Sequence, residues 1–151
     1  MKEMSQQQYV LGGMFALANR LQALGDKMDS HITVKQWLLM AVVEKSVQPP
    51  SLGDISDMIG TSRQSVKKMA KLLEKQGFIS LEKDADDKRF LRVHLTEKCS
   101  VYFNQRRQIE SLFMQELFLD FSNERLSGLF EGLKKLAENI EKMEKSYEEK
   151  K

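Results

Sequence analysis

The chain of 151 residues holds one cysteine, two prolines, two histidines and one tryptophan, and each scarcity closes off a class of protein. A lone thiol, Cys99, forms no intramolecular disulfide and excludes any zinc site that needs two thiolates from one chain; only a redox-linked dimer stays open. His31 and His94 have no His, Cys or Glu neighbour at metal-ligand spacing, so hydrogen-bonded or solvated imidazoles are expected, and no metal or other cofactor. Two prolines and eight glycines against nine methionines and many Leu, Glu and Lys argue against an all-β fold and for helices. No apolar run approaches the roughly 18 residues of a membrane span, and no basic segment leads into an apolar stretch with a cleavage site, so no membrane partner and a cytoplasmic location are expected. There is no glycine-rich phosphate loop and no nucleophile elbow. The S-x-x-K of Ser65 to Lys68 lacks the companion motifs of serine acylases, and no enzyme is expected.

What is present fits one folded domain spanning 1–151: 41% hydrophobic and 30% charged residues, too apolar for disorder and too charged for a membrane protein. The net charge of +2 conceals a local field. Residues 61–92 carry 9 Lys or Arg against 5 acids, whereas residues 122–151 hold 7 of each sign, so the basic excess sits mid-chain and points to an anionic partner.

Apolar positions at steps of three and four predict a first helix from Tyr9 to near Gly25. Thr33 caps a second through Trp37, Leu38, Met40, Ala41 and Val42, stopped by Pro49 and Pro50. Ser51 and Asp54 form a capping box for a short third helix ending at Gly60. Thr61 or Ser62 caps a fourth, with Val66, Met69, Ala70 and Leu73 on one face and Gln64, Lys67, Lys68, Lys71 and Lys75 on another. Gly77 ends it in the left-handed conformation, with Phe78 packing back on Leu73. The period then changes to two: Ile79 and Leu81, then Leu91, Val93 and Leu95, predict an antiparallel hairpin whose polar tip, Asp84 to Arg89, projects into solvent. Thr96 caps a fifth helix and Ser122 a sixth. In the sixth, Leu126, Leu129, Leu133, Leu136, Ile140, Met143 and Tyr147 form a heptad seam. That seam packs either on the first and fifth helices of the same chain or, the reading favoured by its length, on a second copy.

Helix, helix, short helix, turn, basic helix and hairpin is the order of a winged helix-turn-helix, in which the basic helix enters the major groove and the hairpin reaches the flanking minor groove. Ile55 to Gly60, Ser62 to Val66, Leu72 to Ile79, and then Asp87, Arg89, Val93, Leu95 and Thr96 closely resemble the MarR family of bacterial transcription regulators. The wing pattern Asp-x-Arg-x-x-x-apolar-x-Leu-Thr is the most specific part, and the resemblance covers nearly the whole chain. It departs from the family at the start of the fifth helix, where Lys98 and Cys99 stand where glycine is usual. The fold implied is mainly α with a small β-hairpin. A helix-turn-helix at 51–76 and a wing at 78–96 form a DNA-binding lobe, and the terminal segments 1–25 and 97–149 form a helical dimerisation lobe. The activity implied is that of a homodimer on palindromic double-stranded operator DNA, often a repressor that a small molecule releases.

By the same resemblance the base-reading and phosphate-binding helix maps onto Ser62, Arg63, Gln64, Ser65, Lys67, Lys68 and Lys71. Side-chain chemistry divides them: Arg63 can bond guanine and Gln64 adenine in bidentate fashion, whereas the lysines suit phosphates. Taken alone, such lysines are an ordinary solvated face. The family's wing arginine maps onto Arg89; Asp87 can pair with it and orient the guanidinium toward a narrow minor groove, with Lys88 a phosphate contact. Met14, Phe15, Trp37 and Met40 can line a crevice for a small apolar or aromatic effector, with simple core packing as the plainer alternative. Cys99 at a helix start is either a thiol of lowered pKa or a small half-buried residue. The competing function is a winged-helix protein-interaction module without DNA binding, which the acidic wing residues would serve.

Overall fold

Short hydroxyl side chains start the helices. In the computed structural model, which describes residues 2–151, Ser5 opens α1 (Gln6–Met28), Thr33 opens α2 (Val34–Lys45) and Ser51 opens α3 (Leu52–Ile59). Each forms a capping box with the residue three positions on, Gln8, Gln36 or Asp54. Ser62 caps α4 (Arg63–Lys75), and Ser122 caps α6 (Asn123–Glu149). Reciprocal bonds of this kind satisfy amide groups that a helix N-terminus otherwise leaves without partners. Two compact units result, the first running through Asn104 and the second comprising Gln105–Lys151.

α1 extends past both predicted ends, and Gly25 lies inside it as no stop signal. A Cβ on Gly25 would come within 2.3 Å of Val34 Cγ2, so the glycine serves close approach to the start of α2. α2 stops at Lys45, before the prolines are reached. There Ser46 turns its N–H onto Val42 and Val43 and donates its hydroxyl to the Val42 carbonyl at 2.7 Å. α2 supplies the centre of the first unit's core, with Leu39 and Met40 fully buried against a cluster that includes Ile55, Val66, Leu73 and Val93.

α4 ends as its sequence requires. Gly77 has φ 82°, its N–H bonds the Glu74 carbonyl at 2.9 Å and the Phe78 N–H bonds that of Leu73 at 3.0 Å, the paired bonds of a Schellman cap. β1 (Ile79–Lys83) and β2 (Leu91–Leu95) then pair antiparallel with Leu81 opposite Val93 and Glu82 opposite Arg92. The hairpin is tied to the helices by a contact that no local pattern announces: Ser51 forms a β-bridge with Arg92, and the Val93 N–H bonds Pro50 O at 2.9 Å.

α5 (Glu97–Leu117) starts without the family's glycine. Thr96 Oγ1 accepts the Cys99 N–H at 3.2 Å and donates to the Gly77 carbonyl at 2.6 Å. Lys98 Nζ donates to the Gln76 carbonyl at 2.6 Å and lies over the Phe78 ring. The departure at Lys98 and Cys99 is therefore absorbed by a lysine that caps the C-terminus of α4 and a cysteine that fills the core. Tyr102 packs on Phe78 with ring centroids 5.0 Å apart and donates its hydroxyl to Asp29, which also accepts the His31 N–H. Cys99 is wholly buried with Sγ 3.7 Å from Met40 Sδ, and burial, with a contribution from Glu44, pushes its pKa up to about 11. Desolvation overrides the helix-start effect, and the group is a thiol at neutral pH.

In the second unit, Asp120 takes a positive φ of 59° at the turn before α6, and Phe118 and Phe121 meet edge to face. α6 buries none of its residues, and its apolar stripe lies open, from Leu126 through Leu133 and Ile140 to Tyr147. Among the described residues, no helix is long and apolar enough to cross a membrane.

Candidate nucleic-acid interface

Core packing decides which face of α4 points outward. Val66, Ala70 and Leu73 are buried, a spacing of four and three that pins one side of the helix to the core. The opposite side, with Arg63, Gln64, Lys67, Lys68, Lys71 and Lys75, is therefore exposed. At its N-terminus the Ser62 hydroxyl accepts the Ser65 N–H at 3.1 Å and donates to the Ser65 hydroxyl at 2.9 Å. The remaining free amides and helix dipole at this end favour a negative group.

α3, α4 and the hairpin together enclose an open groove of about 490 Å³, lined by Arg63, Gln64 and Lys67 from α4 and by Arg89 and Phe90 from the hairpin tip. Four of the ten residues expected on the interface thus face one space. Lys68 and Lys71 remain exposed farther along α4, and Lys88 on the tip. Gly53 on α3 lies beside Arg63: a Cβ there would lie 3.6 Å from the guanidinium, in ordinary contact.

At the tip, Arg89 is held by Asp87 in a two-pronged ion pair, Nε to Oδ1 at 2.9 Å and a terminal nitrogen to Oδ2 at 2.7 Å. The Arg89 N–H adds a third bond to the same carboxylate. These bonds hold the Asp87 carboxyl below its ordinary pKa, so it stays charged at neutral pH and the pair persists. A fork of this type fixes the plane of the guanidinium while its other N–H groups stay free to donate.

One residue beside this site carries no local signal in the sequence. Arg92 donates from Nε to Asp84 at 2.8 Å and reaches Asp54 of α3 at 3.4 Å. Asp84 also accepts the N–H groups of Asp87 and Asp86, at 2.9 and 3.2 Å. Its pKa is lowered, first by the Arg92 hydrogen bond; that of Asp54 is lowered, first by the N–H and hydroxyl of Ser51 and less by Arg92. The partners of Arg92 lie 8 and 38 positions away, so no local spacing signals the cluster.

The residues expected at an effector crevice have different surroundings. Met40 is wholly buried beside Cys99, Met14 and Trp37 are half-buried, and Phe15 is 69% exposed on α1. None of the four lines the α4–wing groove or a second groove, of about 440 Å³, lined by Val42, Lys45, Pro49, Met58 and Arg92.

Residues 32–89, from the approach to α2 as far as Arg89, match the sequence profile of the MarR family. The fold is that of a MarR/EmrR family transcriptional regulator from Acinetobacter sp. ADP1, with a TM-score of 0.79 at 22% identity over 92% of this chain and 99% of that one. A MarR protein from Peptoclostridium difficile gives 0.80 at 19% identity over 95% and 94% of the two chains. Streptococcus pneumoniae FabT, whose structure was solved in complex with DNA, gives 0.67 at 17% identity over 91% and 99%. The profile is matched across the helix-turn-helix and into the wing, and the fold of these regulators is shared over more than nine-tenths of the chain's length.

Proposed function

We propose that this protein is a sequence-specific, dimeric DNA-binding transcription regulator, a repressor whose hold on DNA is relieved by a small molecule. The observation that carries the DNA-binding reading is the groove in which Arg63, Gln64 and Lys67 of α4 face the wing's Arg89. A base-reading pair, phosphate-binding lysines and a minor-groove arginine are the parts that recognition of a duplex requires. The related fold of FabT in complex with DNA supports the same reading. The acids that favour a protein-binding module are largely engaged within the chain, since Asp84 and Asp87 are each held by an arginine.

In this reading Arg63 and Gln64 select bases, while Lys67, Lys68, Lys71 and Lys88 hold phosphates. The test uses a duplex selected by the wild-type protein from random DNA. Arg63→Ala should relax base choice at one position per half-site, at a cost of roughly 1 to 3 kcal/mol. Lys71→Ala should weaken all sequences alike and, by removing one phosphate contact from each protomer of the dimer, lower the salt slope by about two. Equal loss of base preference in the two variants would overturn the division of labour.

A further inference from the structure

A two-stranded ribbon is marginal by itself and does not fix its own direction. In this protein the hairpin's strand ladder sets its register, yet the tip carrying Arg89 lies beyond the last ladder pair, Lys83 with Leu91. Something must hold that tip relative to α3 and α4. A continuous path of polar contacts does so. The carboxylate of Asp54, while closing the capping box of α3 by accepting the Ser51 N–H at 2.8 Å, also receives the Arg92 guanidinium. The same guanidinium donates to Asp84, Asp84 accepts the Asp87 N–H, and Asp87 grips Arg89. Arg92 is the only member of this path joined both to a helix and to the wing loop.

We propose that Arg92 is a positioning residue for DNA binding: it aims Arg89 at the duplex by riveting the wing loop to the N-terminal cap of α3. This rests on the DNA-binding reading given above. Two observations separate its role from that of a DNA contact. Arg92 does not line the groove shared by α4 and Arg89, but the second groove, beside Pro49 and Met58. Its Nε and one terminal nitrogen are also engaged by carboxylates of the same chain. The contacts are partly exposed, so they contribute little to folding. Their effect is on direction, which a planar fork bridging two carboxylates can fix and a single ammonium cannot.

The substitution Arg92→Lys tests this because it keeps the charge near the duplex and removes only the fork. Binding to the selected duplex is measured for the wild type, Arg92→Lys, Arg89→Ala and the double variant, with melting temperatures recorded for each. Arg92→Lys should bind about tenfold more weakly with an unchanged melting temperature, and should have no further effect once Arg89 is alanine, the mark of residues acting through one another. Asp84→Asn, which releases the fork from the other side, should show the same dependence on Arg89. An Arg92 acting merely on folding, or touching phosphate itself, would lower affinity by the same factor in both backgrounds. That result, or wild-type affinity in Arg92→Lys, would overturn the proposal alone. A wild-type protein that retains no duplex from the random pool would overturn it together with the DNA-binding reading.

Discussion

Placing aspartate at both Leu133 and Ile140 is expected to convert the protein from a dimer to a monomer and to lower its affinity for a palindromic duplex by about a thousandfold. Both side chains are 49% exposed on α6, in a stripe that continues through Met143 to Tyr147 and that leaves the whole helix without a buried residue. A helix of 27 residues with an uncovered heptad stripe is a surface that a second copy can cover with the same stripe. Each carboxylate placed there would be buried without a partner, at a cost of several kcal/mol. A monomer engages one half-site, so its binding falls toward the range of non-specific contacts. Sedimentation at micromolar concentration checks the first step, and helical content by circular dichroism checks that α6 remains formed. Aspartate at Lys145, on the opposite face of α6, should leave the dimer intact. A wild-type monomer under these conditions would refute the assignment.

The second large effect is expected at the wing. Arg89 supports nothing in the core: its guanidinium is exposed, and Asp87 is its hydrogen-bond partner. Arg89→Ala should therefore melt within about 2 °C of the wild type, as exposed substitutions usually do, while binding the duplex roughly 10- to 100-fold more weakly. Asp87→Ala should lose less, because the carboxylate acts by orienting Arg89 and its own charge would repel phosphate. The losses should not add. If affinities in the double-mutant cycle fall independently, the ion pair has no role in aiming the arginine.

The parts of this fold that are legible in the sequence are those encoded within a few residues. Thr33, Ser51, Ser62 and Ser122 cap their helices where the sequence places them. The Gly77–Phe78 stop forms its two bonds, and the hairpin strands fall at the change of period. Legibility fails where meaning depends on distant partners. Gly25 has the composition of a helix stop, yet Val34, packed against it, is what requires a glycine. Arg92 counts in the sequence as one more basic residue of the wing; only the fold, by pairing β2 with Ser51, brings it to Asp54. Cys99 at a helix start suggests a lowered pKa until the core closes over it. At the interface, the chemistry of Arg63, Gln64 and Arg89 is legible residue by residue. Their convergence on one groove is a property of the packing of α3, α4 and the hairpin.

The central claim is that α4 and the wing hold a DNA duplex through its phosphates while reading its bases. The most direct test is the salt dependence of wild-type binding to a duplex the protein itself selects. Four phosphate-binding lysines per protomer, Lys67, Lys68, Lys71 and Lys88, make eight contacts in a dimer, which gives a slope of log affinity against log salt of about −7. A slope of that order, with an affinity well above that for an unrelated duplex at the same salt, is the predicted result. A slope near zero, or equal affinity for selected and unrelated duplexes, would contradict it.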